Sequence, residues 1–366
     1  MGREILLTLR YYARHVIPCF CIIGILGNCM ALILIRTNYW LKRLTSNIYL
    51  CTLSLCSCLF LITVLFTWLD GTLEIPLYNG SEFGCRLLTF FAHMSDFNCV
   101  WMISWISCDR AIVLFRPGIR KKLCSKKFAR NMVIVTISCA CLLYSWCLFS
   151  AGLEEEEGSL YCGLSGNLSL MGYEFTDMHF YFTFLDTVIC TIVPSVLISV
   201  VNSLSVYRYR QCMKIYSSGV LRVRFHRTIV DDTNHDETTN ALRLLSQQSQ
   251  TASIQSHLST KSGKLRSSDL QLSRSLLIVT STFVCLTVPN YVFRLYISIF
   301  NPTSVLFQLI YFATFLLYYL HHAVLFYMYI FWSPQMKKQL RPTALKLLEC
   351  YCCKTVPDFG HSRIQR

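Results

Sequence analysis

Three charged residues lie within strongly apolar stretches of the chain, where charge is rare. Asp96 and Asp186 interrupt two long hydrophobic segments, and Arg294 lies near the end of a third. A carboxylate in such surroundings usually faces a cavity, pairs with a cation or receives a charged group. Two interpretations are therefore open. Either Arg294 pairs with one of the acids as a structural ion pair, or an acid binds the cationic group of a ligand.

Another charged pair, Asp109-Arg110, ends an apolar stretch that begins at Cys85. The 25 positions from Cys85 to Arg110 correspond to a helix of about 38 Å, which is long enough to cross a bilayer with tilt. A dense basic group follows the pair: Arg116, Arg120, Lys121, Lys122, Lys126, Lys127 and Arg130. This order predicts a membrane-spanning helix whose charged end lies at the membrane surface.

The composition excludes an ordinary soluble domain, because 54% of the 366 residues are hydrophobic. The apolar residues are grouped in seven blocks, at about 15–35, 46–69, 84–114, 131–152, 178–207, 275–299 and 304–332. We therefore predict an all-α membrane protein, a seven-transmembrane helix bundle. The net charge of +14 then reflects the topology of the loops, and we expect no nucleic-acid partner.

The charge distribution predicts the orientation of this bundle. An odd number of spans puts the termini on opposite sides, and a cytoplasmic C-terminus places 29 of the 34 Lys and Arg residues inside. We therefore expect an extracellular N-terminus at 1–14, a seven-helix membrane domain at 15–332 and a cytoplasmic tail at 333–366. The first block is too long for a cleavable signal peptide, so it is interpreted as an anchor. The expected location is the cell membrane, as a multi-pass protein.

Two modifications agree with this orientation. The usable glycosylation sequons begin at Asn79 and Asn167, and both lie in expected outer loops. Of the 20 cysteines, Cys85 and Cys162 are the two in outer loops or at their helix junctions. The outside is oxidising, so the pair is predicted to form a disulfide rather than to remain as free thiols.

The expected cytoplasmic segments are polar. The loop at 208–274 is rich in Ser, Thr, Gln and Arg and is predicted to be largely disordered, with helix extensions near 208–214 and 267–274. It serves either as a kinase substrate or as a simple linker. The segment after Ser333 is predicted to form a short amphipathic eighth helix on the membrane. The cysteines beyond it are candidate palmitoylation sites: Cys350, Cys352 and Cys353.

The third block resembles the third transmembrane helix of a rhodopsin-like (class A) G-protein-coupled receptor. Cys85, Arg110 and Pro117 match the spacing of that helix, with Ala111 in place of the usual Tyr. Further matches occur in order along the chain: Gly27-Asn28, Thr45 to Leu50, Pro194, Phe283, Pro289 and Tyr329. The resemblance implies that Asp109, Arg110 and Tyr329 couple the receptor to a heterotrimeric G protein. Arrestin and kinases are possible further partners.

The chain also departs from that family pattern. The family's residues in helices 2, 5, 6 and 7 are replaced by Ser57, Asn202, Thr287, Leu325 and Phe326. Because a bound cation needs a buried anion, the absence of the second-helix acid predicts that there is no intramembrane sodium site. Asn28, Ser57, His321 and His322 either form a substitute polar network or make simple helix–helix hydrogen bonds.

The candidate ligand-binding residues are Asp96, His93, Trp101, Asp186 and Arg294. The position at which aminergic receptors carry their amine-binding acid is Ala92, which argues against a biogenic amine. The segment from Ser95 to Trp101, the short N-terminus and Phe326 look most like invertebrate neuropeptide receptors, including FMRFamide-type receptors. The resemblance implies a small basic peptide ligand, which the acidic run from Glu154 to Glu157 would attract.

Three other functions are compared with a peptide receptor. The first, within the same fold, is a receptor for a lipid or other small molecule, or a receptor whose coupling to the G protein is impaired. A transporter or channel would show two related halves, and no repeat is visible. No nucleophile–base pair indicates an enzyme. We expect no metal or other cofactor, since a three-cysteine cluster without His is a poor zinc site.

Overall fold

In the residues that it describes, the computed structural model contains seven long helices. It describes residues 2–38, 44–116, 119–156, 159–164, 169–170, 173–174, 181–182, 184–230, 267–300, 304–333, 336–338 and 340–345. The helices are α1 (Gly2–Thr37), α2 (Ser46–Leu73), α3 (Glu82–Phe115), α4 (Lys126–Tyr144), α5 (Val193–Val230), α6 (Ser267–Phe300) and α7 (Val305–Trp332). Short helical segments at Arg120–Leu123 and Cys147–Ser150 flank α4, and a π-helical turn at Val188–Ile192 precedes α5.

All seven helices are long and apolar enough to cross a membrane, and the expected seven-helix bundle is confirmed. The candidate spans are Arg14–Thr37, Ser46–Leu73, Glu82–Phe115, Lys126–Ser150, Phe184–Gln211, Ser273–Ile297 and Val305–Trp332. They agree with the apolar blocks of the sequence because a run of about 20 apolar residues satisfies its backbone in lipid by forming a helix.

The helix bounds differ from the sequence expectation at two places. Residues 2–14, predicted only as a terminal segment, are the first turns of α1. α5 continues to Val230, well past the predicted extension at 208–214, so the first third of the expected disordered loop is helical. No proline interrupts the chain between Pro194 and Val230, and helix propagation therefore meets no strong backbone block. Residues 231–266 lie outside the described part of the chain.

A β-hairpin between α4 and α5 was not anticipated. β1 (Ala151–Glu156) pairs antiparallel with β2 (Ser159–Leu164), and a second short pair joins β3 (Ser169–Leu170) to β4 (Tyr173–Glu174). In the first hairpin Leu153 lies opposite Cys162. The hairpin therefore carries Cys162 to the end of α3 that bears Cys85, which is called the disulfide end below.

Helix α3 has a central position, with contacts to α2, α4, α5 and α6. α1 packs on α2 and α7. Gly24 allows α1 to approach both helices closely. A Cβ on Gly24 would lie 2.5 Å from Cδ1 of Leu61 on α2 and 2.8 Å from Cα of Ala323 on α7. The main core cluster lies around α3, at residues such as Met102, Ile103 and Ile106.

The predicted amphipathic eighth helix stays a prediction. Residues 336–338 and 340–345 are helical, and Met336 is buried in the core cluster beside Tyr329. The end of the bundle near Met336 carries Asp109 and Arg110 and is called the Asp–Arg end below.

Replacement of Gly24 by Ala tests the close packing of α1. The added methyl group overlaps backbone and side-chain atoms of two helices, so we expect a cost of about 1–3 kcal/mol and a lower apparent melting temperature of the purified protein. Gly71→Ala is the matched control, because a Cβ at Gly71 meets nothing within 4 Å. Equal melting temperatures for the two variants would contradict this packing.

Candidate functional site

Asp186 lies in a polar cluster formed by four helical segments. Its Oδ2 atom is 3.7 Å from Nη1 of Arg294, and its Oδ1 atom accepts a 2.5 Å hydrogen bond from the Tyr144 hydroxyl. Tyr144 also contacts Sγ of Cys190 at 2.9 Å, and its ring stacks on His93 with centroids 5.5 Å apart. The structural ion pair considered for Arg294 is therefore present, and it neutralises Asp186.

Asp96 lies in a different polar cluster. Its Oδ2 atom accepts a 2.5 Å hydrogen bond from the hydroxyl of Tyr291, and the hydroxyl of Tyr318 faces the same carboxylate. Its Oδ1 atom is 3.9 Å from Nε2 of His322. The Asp96 side chain is 15% exposed, while the His322 side chain is fully buried.

The two acids therefore differ in charge balance. Asp186 has a guanidinium partner, whereas no Lys or Arg of the described chain lies within 4.0 Å of Asp96. The partners of Asp96 are phenols and an imidazole, which leave the negative charge of a carboxylate in place. Because Asp96 is on α3 about 16 Å along the helix from Cys85, it lies deep within the bundle, where Arg294 acts on it only from a longer distance.

His93 and Trp101 both lie beside the Asp186 cluster. His93 belongs to it through its stacking on Tyr144. Trp101 packs against Phe97 and Trp105, with ring centroids 6.0 and 5.9 Å away, and borders a core cluster that contains Phe97 and Tyr144. The five predicted ligand residues therefore fall into two groups, Asp96 in one and the other four around Asp186.

The disulfide end is closely braced. Cys85 and Cys162 form a disulfide with Cα atoms 5.5 Å apart. Asp70 accepts hydrogen bonds from the backbone amides of Tyr78 and Asn79, at 2.8 and 2.5 Å, and from Nδ2 of Asn79 at 3.2 Å. Oδ1 of Asn79 then accepts a 2.7 Å hydrogen bond from the amide of Cys162. The α2–α3 loop is thereby attached to the hairpin.

The structure does not test the predicted glycosylation and palmitoylation sites. Asn79 is partly buried and engaged on both sides of its amide. Asn167 lies outside the described residues, as do the three cysteines of the tail, Cys350, Cys352 and Cys353. Glycosylation and palmitoylation remain predictions.

At the other end of α3, Asp109 and Arg110 form a buried ion pair, with side chains 5% and 4% exposed. The hydroxyls of Thr45 and Ser46 donate to Asp109 at 3.1 and 2.9 Å, and Arg110 donates to the hydroxyl oxygen of Ser46 at 2.5 Å. A buried ion pair needs such additional hydrogen bonds to offset its desolvation. The start of α2 therefore holds Arg110 in an inward-facing conformation.

Tyr329, which matches the resembled pattern, is buried near this end, and its hydroxyl has no hydrogen-bond partner within the described ranges. Two residues at departures from that pattern form local hydrogen bonds. Thr287 donates to the carbonyl of Phe283 within α6 at 2.8 Å. Asn202 on α5 donates to the hydroxyl oxygens of Thr280 and Ser281 on α6, at 2.9 and 3.1 Å.

The geometry defines a seven-helix membrane bundle with a polar interior and a buried charged pair at one helix end. Comparison with protein families identifies the class of protein, since residues 27–325 match the family model described as 7 transmembrane receptor (rhodopsin family). The chain belongs to this family, whose members are G-protein-coupled receptors and not enzymes.

Two curated proteins illustrate this relationship. The chain is 25% identical over 139 residues, 38% of its length, to a protein of Mus musculus named G-protein coupled receptor 15. It is 28% identical over 160 residues, 40% of its length, to the Motilin receptor of Homo sapiens. The matches cover 38% and 36% of those two proteins. A similarity to FMRFamide-type receptors is not among these findings.

Sequence reasoning missed the groups that complete each site. Tyr144, Tyr291 and Tyr318 are aromatic residues in apolar helices, and no local signal separates a hydrogen-bonded Tyr from one that only packs. Ser46 belongs to a segment that matched the family pattern, but its contact with Arg110 spans 64 positions. These contacts depend on how neighbouring helices are rotated.

Replacement of Cys162 by Ser tests the disulfide end. The bond closes a separation of 77 positions, and loss of such a cross-link typically costs about 2–5 kcal/mol. We expect a lower apparent melting temperature and less protein at the cell surface. Cys285→Ser is the matched control, since Cys285 is a free, exposed cysteine of α6. A Cys162 variant as stable as this control would contradict the bond.

Proposed function

We propose that the protein is a cell-surface receptor, with its N-terminus outside, that binds a small basic neuropeptide and activates a heterotrimeric G protein. The observation that carries the proposal is the carboxylate of Asp96, which lies deep in the bundle without a Lys or Arg partner in the described chain. A buried anion favours a cationic ligand group, because the two charges offset each other's desolvation.

The position of Asp96 supports an inward-facing binding site. Tyr291 on α6 and His322 on α7 lie against it, and both are buried within the bundle. The contacts of the Asp96 carboxylate are therefore with residues of the bundle interior. Phe60, Tyr318 and Tyr291 form an apolar cluster beside it, which suits an aromatic or aliphatic side chain next to the cation.

A peptide ligand agrees with two further features. Glu154 and Glu155 lie on β1 at the disulfide end, where they add negative charge beside the expected entrance. Among the relatives, the human protein is named as the receptor of motilin, a peptide. A peptide ending in Arg-Phe-amide combines a cation with an aromatic ring and fits the surroundings of Asp96, as the resemblance to FMRFamide-type receptors implies.

For coupling, the Asp109–Arg110 pair supports a resting conformation. Ser46 hydrogen-bonds both members of the pair, so Arg110 is turned toward α2 and is buried. Activation would release Arg110 and open a cleft for the G protein between α3 and α6. The proposed switch is therefore the exchange of these hydroxyl contacts for contacts with the partner protein.

Replacement of Asp96 by Asn tests the ligand site. Loss of a charge-assisted hydrogen bond costs about 1.5–3 kcal/mol, so the half-maximal concentration should rise roughly 10- to 100-fold. The measurement is a calcium and cAMP assay in transfected cells against a library of amidated basic peptides. Asp186→Asn is the matched variant, and we expect a smaller shift because Arg294 already pairs with Asp186.

Three results decide this proposal. An unchanged dose response for Asp96→Asn would exclude Asp96 as the cation acceptor. A wild-type response to lipids and to none of the peptides would favour the small-molecule receptor. Arg110→Ala serves as the coupling control, and it should abolish the signal while surface expression persists.

Replacement of Ser46 by Ala tests the proposed resting state. The variant removes a hydrogen bond from each member of the Asp109–Arg110 pair, and a change of about 1–2 kcal/mol shifts the resting-to-active ratio roughly 5- to 30-fold. We expect higher ligand-independent signalling per receptor at the surface. Ser54→Ala, at another buried serine of α2, should leave it near the wild-type level. Equal basal signalling in the two variants would contradict the proposed role of Ser46.

A further inference from the structure

Two buried polar atoms in the middle of the bundle face each other without a hydrogen bond. Oδ1 of Asp96 and Nε2 of His322 are 3.9 Å apart, and neither has a hydrogen-bond partner within the described chain. Burial of unpaired polar atoms is costly, so the two atoms have a strong reason to pair. The gap is about 1 Å longer than a hydrogen bond, a distance that a small side-chain movement closes.

Hydrogen-bond chemistry then determines where the imidazole carries its proton. A neutral imidazole has one donor and one acceptor nitrogen, and a carboxylate oxygen only accepts. Pairing with Asp96 therefore requires a proton on Nε2 of His322, which leaves Nδ1 as the acceptor. Nδ1 is 3.5 Å from the hydroxyl oxygen of Ser57, which is able to donate. One tautomer thus satisfies all three side chains.

Aromatic packing holds the imidazole in this orientation. The ring of Phe60 stacks on His322 with centroids 4.3 Å apart, and Tyr318 meets it edge-on at 5.5 Å. The second oxygen of Asp96 is held by Tyr291. Because the hydroxyl of Tyr318 also faces Asp96, this residue contacts both the ring and the carboxylate and helps to hold them opposite each other.

The same chain of contacts continues into the rest of the bundle. The hydroxyl of Ser57 is 3.5 Å from Sγ of Cys99, and Nδ2 of Asn28 donates to the backbone carbonyl of His322 at 3.1 Å. His321, the neighbouring residue, packs edge-on against Phe283, and neither of its nitrogens has a hydrogen-bond partner in the described chain. The rings of the two adjacent histidines contact each other, with centroids 4.6 Å apart, but only His322 has a hydrogen-bonding side chain beside it.

We propose that Asp96, His322 and Ser57 form one hydrogen-bonded relay, in which His322 is a positioning residue between the ligand site and the α1–α2–α7 interface. His322 donates from Nε2 to Asp96 and accepts the Ser57 hydroxyl at Nδ1. A cationic ligand group at Asp96 competes for that carboxylate and weakens its hold on His322, which loosens α7 from α3. This last step rests on the proposed function, whereas the relay itself does not.

An exchange of the two ends of the relay tests its connectivity. Asp96→Ser leaves His322 between two hydroxyls, and Ser57→Asp places it between two carboxylates. The double variant again supplies one carboxylate and one hydroxyl, with the imidazole in its other tautomer. We expect each single variant to lower the apparent melting temperature of the purified receptor and the double variant to recover more than half of the summed loss.

One result of the exchange would overturn the relay. If the double variant lost as much melting temperature as the two single variants together, the two positions would be independent of each other. For any variant with too little yield to purify, the surface abundance of a tagged receptor in intact cells replaces the melting temperature, and the same recovery is expected. The double variant should not regain the peptide response, because its carboxylate lies on α2 instead of at the ligand site.

The two adjacent histidines test the coupling step. His322→Phe keeps a buried ring and removes both nitrogens of the relay, so we expect ligand-independent signalling per surface receptor to rise at least about threefold. His321→Phe is the matched control and should stay near the wild-type level. Equal signalling in both variants would overturn the coupling step, even if the exchange succeeds. If even the wild-type receptor gives no signal, the coupling step falls with the proposed function, and the exchange still decides the relay.

Discussion

The burial of charge on α3 is the constraint that the rest of the bundle has to satisfy. This helix carries Asp96, Asp109 and Arg110 among apolar neighbours, where water does not compensate them. Each charge therefore needs partners from other helices. α2 and the residue before it supply hydroxyls to Asp109, while α6 and α7 supply a phenol and an imidazole to Asp96. The central position of α3 follows from this need as well as from apolar packing.

The two regions of α3 meet the constraint differently. At the Asp–Arg end, opposite charges are adjacent and the hydroxyl of Ser46 joins them, so the pair itself carries almost no net charge. Around Asp96 the partners are neutral groups, and the carboxylate keeps its charge. The nearby pair of Arg294 and Asp186 balances itself. Among the described acids of α3, Asp96 is thus the one with no Lys or Arg within 4.0 Å, and it is the acid at which we propose that a cation binds.

The departures from the resembled receptor pattern have a common physical consequence. The second-helix acid of the family is replaced by Ser57, and an acid is instead present across the interface at Asp96 on α3. His322 lies between the two positions. On α5, Asn202 links to α6 through hydroxyl groups. Polar contacts between helices are retained here with different residues, and a substitute network that joins Ser57 to His322 stays a prediction.

The amino-acid sequence by itself determined the number of membrane helices, their approximate limits and the positions of the buried charges along them, because these depend on the length and composition of local segments. It also identified Cys85 with Cys162 and Asp109 with Arg110. Only the tertiary structure decided that Arg294 pairs with Asp186 and that His322 faces Asp96. Those contacts depend on the rotation and depth of each helix, which long-range packing sets and local periodicity does not encode.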